Sequence, residues 1–144
     1  MAILTSSITI NKPADVIWKF FVEPANNLKW RSDLKEIKQL TPGAIGVGTK
    51  FSEVSEFMGQ KMETPQEVTA FDVNKKFGIK SAGGPIPFSG AFTLEPAGSG
   101  TKLSVEFEFS PGGVFKLAEG MVVAQAQKQF EGDFARLKQL LEAM

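Results

Sequence analysis

Toward the C-terminal end of the chain, apolar residues recur at steps of three and four: Val123, Ala126, Phe130, Phe134, Leu137 and Leu141, with Lys128, Glu131, Lys138 and Glu142 opposite. This spacing predicts one long amphipathic helix with a single buried stripe. Upstream the period shortens to two. Ile3 to Ile10 alternates, with Ile8 and Ile10 on one face, and reads as a first strand. Pro13 and Asp15 then open a helix, because proline in a first turn gives up no hydrogen bond and an early acid favours the positive helix end. Val16, Ile17, Phe20 and Phe21 give that helix its apolar face, and Pro24 ends it. A short second helix through Asn26, Asn27 and Leu28 delivers Trp30, and Leu34 to Leu40 reads as a strand closed by Thr41-Pro42-Gly43.

From there the pattern is β: Gly48 to Phe57, Lys61 to Phe71, Lys76 to Ser81, Pro87 to Glu95 and Lys102 to Phe109. Turn signals at Gly59, Asp72 to Asn74, Gly83-Gly84-Pro85 and Gly98-Ser99-Gly100 separate them. The last two strands carry the clearest alternation. Phe88, Gly90, Phe92 and Leu94 share one face, as do Leu103, Val105, Phe107 and Phe109, while Lys102, Ser104, Glu106 and Glu108 share the other. The polar side is expected to meet water and the apolar side the terminal helix. The fold class is therefore α+β, a strand, two short helices, about six further strands and one long helix, in a single domain over residues 1–144.

Composition narrows the chemistry. Histidine, cysteine and tyrosine are absent, so Ser-His-Asp and Cys-His mechanisms, thiol redox chemistry and His/Cys zinc sites cannot be assembled. No metal or other cofactor is called for. Thirteen phenylalanines and two tryptophans supply rings that suit either a core or an apolar cavity wall. Sixteen basic residues balance sixteen acidic ones with no basic stripe, which argues against nucleic acid as a partner. No apolar run reaches membrane-spanning length, and the start lacks a signal-peptide pattern, so a cytoplasmic location is expected. Oligomeric state is not readable from the chain.

Two motifs need weighing. Gly43-Ala44-Ile45-Gly46-Val47-Gly48 is glycine-rich, but a phosphate loop needs a helix after it and here a strand follows, so a tight turn or cavity-rim loop is the better reading. Among the carboxylates, Glu63, Glu67, Glu106 and Glu108 fall out of phase with apolar neighbours and should be solvated. Glu53 shares a strand face with Phe51, Ser55 and Phe57. In that register it sits among apolar residues, where its charge is disfavoured unless a donor answers it. A bulge would instead turn Val54 inward and leave Glu53 in water.

The chain resembles the helix-grip superfamily (SRPBCC, START-like), which includes START lipid-transfer domains, birch-pollen-allergen-like (Bet v 1-like) proteins and the bacterial polyketide cyclase/dehydrase group. The residues that carry the likeness are Ile8 to Trp18, Glu23-Pro24, Trp30, Val47-Gly48-Thr49, Glu67-Val68 to Phe71, Thr101-Lys102-Leu103 and Leu137-Lys138 to Glu142. The resemblance implies a curved antiparallel sheet of about seven strands gripping the C-terminal helix around a hydrophobic cavity. It implies no single activity.

On that frame Trp30, Phe51, Phe57, Phe88, Phe92, Phe107, Val122, Val123, Gln125, Ala126 and Phe130 are the candidate ligand-binding residues. Gln125 and Gln129 are the polar candidates on the helix, and Trp30 is expected at the cavity mouth. Phe134, Leu137 and Leu141 should plug the closed end, while Gly90 and Ala126 leave space. Gly120 and Gly132 hint at a kink or a close approach in the helix. Three readings follow: a binding protein for a hydrophobic molecule such as a lipid, isoprenoid or polyketide-like aromatic; a cyclase or dehydratase with Glu53 as catalytic base; or a protein-interaction module of the same fold. The first is preferred, since the absence of His and Tyr weakens the second.

Overall fold

In a computed structural model, which describes residues 2–57, 59–83, 86–109 and 119–144, the chain begins with β1 (Ala2–Ile10) and α1 (Ala14–Phe21). A 3₁₀ turn (Pro24–Asn26) and α2 (Asn27–Trp30) follow. Next come β2 (Leu34–Gln39), β3 (Lys50–Phe57), β4 (Gln60–Asp72), β5 (Lys76–Ser81), β6 (Phe88–Ala97) and β7 (Gly100–Phe109), then the long α3 (Glu119–Glu142). All seven strands form one antiparallel sheet in the order β1-β7-β6-β5-β4-β3-β2. Strands β1 and β2 thus lie at opposite edges although only the two short helices separate them in sequence. Those helices must cross from edge to edge, and in doing so they cover one end of the sheet's apolar face.

Local chemistry sets the boundaries. Pro13 caps α1 in extended geometry and its carbonyl accepts hydrogen bonds from Val16 and Ile17 N–H. Strand β3 begins at Lys50 rather than at Gly48, because Gly48 turns through φ 92°, a conformation open to glycine. Hairpin β6–β7 is tighter than the sequence pattern suggests: Ala97 pairs with Gly100, and the turn needs only Gly98, at φ 61°, and Ser99. The expected turn at Gly83-Gly84-Pro85 lies partly outside the described residues.

Burial follows the predicted faces. Thr101, Leu103, Val105, Phe107 and Phe109 of β7 are buried, while Lys102, Glu106 and Glu108 are exposed. Phe134, Leu137 and Leu141 of α3 are sealed against the core, and α3 packs on β1 and α2. Two glycine expectations are corrected. A Cβ at Gly90 would collide with the Glu106 carbonyl and the Phe107 ring, so Gly90 admits the neighbouring strand and frees no cavity space. At Gly120 and Gly132 an added Cβ would meet nothing among the described residues, so none of these approaches α3 closely at either position. Among the described residues, no helix is long and apolar enough to cross a membrane.

Candidate functional site

Between the sheet and α3 lies a cavity of about 210 Å³. Its polar lining gathers on one side, among apolar side chains such as Ile37, Phe51 and Met62. From β6, β7 and α3 come Phe88, Phe92, Phe107, Phe109, Val122, Ala126 and Phe130. Phe107 meets Phe92 at 5.4 Å and 89°, Phe88 at 5.6 Å and 67°, and Phe130 at 6.0 Å and 51° between ring centroids. Such tilted and edge-to-face contacts hold rings firmly without flat stacking. From β3 and β4, on the other side of the sheet's centre, come Glu53, Ser55, Thr64 and Gln66, joined by Arg31 and Asp33 from the segment after α2 and Asp133 from α3.

Alternation places Glu53 inward. Phe51, Glu53 and Ser55 are all buried, while Val54 on the opposite parity is only half-buried. The donor that answers Glu53 is Arg31, whose Nη1 donates to both carboxylate oxygens at 3.1 and 3.0 Å. Gln66 Nε2 donates to Glu53 Oε1 at 2.8 Å. The rest of the guanidinium is taken by Asp33, through Nε at 3.3 Å and Nη2 at 2.9 Å. Burial acts to lower the proton affinity of Arg31, but the charges and hydrogen bonds of Glu53 and Asp33 outweigh it and hold the guanidinium above its ordinary value.

Asp133 stands apart from this pair of ion pairs. It is 4% exposed and accepts a hydrogen bond from Ser32 N–H at 3.1 Å. Burial pushes its carboxyl upward against the hydrogen bonding from Ser32; Asp33 adds to the rise and Arg31 opposes it. The carboxylates do not converge on a metal site: among the described residues no three His, Cys, Asp or Glu side chains are grouped closely enough to hold an ion.

Of the residues singled out from sequence, Glu53, Trp30, Phe51, Phe88, Phe92, Phe107, Val122, Ala126 and Phe130 lie on the cavity wall. Two do not join them there. Gln125 is exposed, and Val123 packs against the core beside the wall; Gln129 is the glutamine that reaches the cavity. The side chain of Phe57 lies outside the described residues. Trp30 is not at the mouth: it is 1% exposed, 5.8 Å from Phe21 and 6.2 Å from Phe134 between ring centroids. The Gly43 to Gly48 stretch forms turns, with Gly46 N–H donating to Thr49 Oγ1, and leads into β3 without a helix.

Sequence reasoning missed Arg31, Asp33, Gln66 and Asp133. Two of these carried a signal. Gln66 shares the parity of Met62 and Val68, which fixes it to the inner face, and Asp133 follows Phe130 by three and precedes Leu137 by four, the spacing of the buried stripe. Arg31 and Asp33 sit in an aperiodic connection, where no pattern points.

This architecture, an antiparallel sheet wrapped on a long C-terminal helix with a half-open cavity between them, is the helix-grip fold. The family model described as "Polyketide cyclase / dehydrase and lipid transport" matches residues 1–142, and the chain belongs to that family. Among solved structures it is similar to the protein TTHA0849 from Thermus thermophilus, with 16% identity, TM-score 0.86, and coverage of 99% of this chain and 98% of that one. It is also similar to the Zhui aromatase/cyclase from a Streptomyces species, at 13% identity and TM-score 0.79 over 98% and 93% of the two chains. Ara h 8.0201 gives 18% identity and TM-score 0.74 over 99% of each. At these identities the likeness is one of fold. No curated protein sequence matches the chain.

Proposed function

We propose that the protein is a cytoplasmic binding protein that takes a hydrophobic small molecule into the cavity between sheet and α3. The observation that carries this reading is the phenylalanine-lined wall around about 210 Å³ of space. The clustered Phe88, Phe92, Phe107 and Phe130 rings give an apolar guest surface to bury, while the polar groups opposite can fix its orientation. The family's description, which joins cyclase chemistry to lipid transport, agrees with a site built for apolar molecules.

Catalysis by Glu53 is the weaker reading. A general base must reach the proton it takes, and three of the roughly four lone-pair positions of the Glu53 carboxylate already accept hydrogen bonds from Arg31 and Gln66. Apolar fluorescent probes should bind in the micromolar range, roughly −8 kcal/mol. Affinity should hardly change between low and high salt, since burial limits screening. Opening the wall by Phe92→Ala or blocking it by Ala126→Phe should alter binding while the circular dichroism of sheet and helix persists. Identical affinities for the three proteins would place the site elsewhere.

A further inference from the structure

We infer that the ligand of this cavity is a ring-sized apolar molecule carrying a protonated amine, which Asp133 receives. The inference rests on the ligand-binding reading above and names the chemistry of the head group. Its first support is the charge inventory of the wall: three carboxylates, Asp33, Glu53 and Asp133, face one guanidinium, Arg31, and no lysine is among the described residues lining the cavity. Arg31 is committed, making four hydrogen bonds to Asp33 and Glu53. A carboxylate or phosphate ligand would find no free cation among the described lining residues and three carboxylates. A cation would find an excess of negative charge in surroundings where water screens little.

The second support is Asp133 itself. It is more than nine-tenths buried and lines the cavity, yet it belongs to no ion pair among the described residues, and Ser32 supplies its hydrogen bonding there. A buried carboxylate without a cation is costly. An ammonium group brings both the charge and up to three donors. Gln129 lies one turn before Asp133 on the same face of α3 and also lines the cavity, so its amide oxygen is placed to accept a second donor from the same head group. Size limits the remainder of the molecule: an apolar cavity of about 150 Å³ holds benzene, so about 210 Å³ matches one or two fused rings packed among Phe92, Phe107 and Phe130.

The test is isothermal titration, at neutral pH, of three compounds that share a ring and differ in head group: 2-(1-naphthyl)ethylamine, 2-(1-naphthyl)ethanol and 1-naphthylacetic acid. The amine should bind roughly tenfold more tightly than the alcohol and at least about a hundredfold more tightly than the acid. Asp133→Asn should bring the amine close to the affinity of the alcohol, whose own binding should hold and so report an intact cavity. An acid that binds as well as the amine, or an amine preference that survives in Asp133→Asn, would overturn the head-group assignment and leave the apolar site standing. Failure of all three compounds to bind would overturn the site as well.

Discussion

Arg31 holds the polar half of the cavity together, because its one charge serves two carboxylates that are themselves about nine-tenths buried. Removing it would leave Glu53 and Asp33 facing each other without a cation. Arg31→Ala should therefore destabilise the fold by about 3 kcal/mol or more, whereas surface arginine truncations cost little; matching urea midpoints for variant and parent would contradict the role given to Arg31. Asp133 makes a separate prediction through pH. Its carboxyl is held above the ordinary value of 3.8, so the folded state binds this proton more tightly than the unfolded chain does. Below the unfolded value the group is neutral in both states and no penalty arises. As pH rises through the folded value, the ionised group must be kept buried and stability falls. Urea unfolding at a series of pH values should show the parent losing ground to Asp133→Asn over that window. A constant difference between the two proteins would mean that Asp133 does not titrate abnormally.

Helix α3 shows how one element can serve both stability and the site. Its stripe is readable from spacing alone, and Phe134, Leu137 and Leu141 are sealed as the pattern requires. Phe134→Ala should cost about 3–5 kcal/mol. Lys138 donates to the Thr9 carbonyl at 2.6 Å and pairs with Glu142 at 2.9 Å, but its side chain is 39% exposed. Lys138→Ala should therefore cost less than about 1 kcal/mol; equal losses in the two variants would show that the stripe is not the buried face. Gly132 is exposed, with open space where a Cβ would stand. Gly132→Ala should gain about 0.5–1 kcal/mol, read as a higher denaturation midpoint. A loss would mean that the helix needs glycine's backbone freedom at this position.

At the scale of the whole molecule, element order and apolar faces were legible in the sequence because each strand and helix repeats its own period. Glu53 was legible for the same reason, since alternation ties it to Phe51 and Ser55. Trp30 was misplaced because a single-turn helix has too few residues to show which way its last side chain points; its indole in fact packs with Phe21 and Phe134. Arg31 was illegible because its importance comes from β2 and β3 meeting the end of α2 in space, a long-range event with no local trace. The polar half of the cavity thus arises from topology: β1 and β2 at opposite edges force the helical crossing that delivers Arg31 over β3.

The central claim is that an apolar molecule occupies the space between sheet and α3. Chemical-shift mapping of methyl groups during titration with a naphthyl probe tests it most directly. Progressive shifts are expected at Ala126, Val122, Ile37 and Ile79, which line the cavity, with little change at the exposed methyls of Val47 and Val73. Shifts confined to Val47, Val73 or other exposed methyls, with Ala126 and Val122 unmoved at saturation, would contradict it.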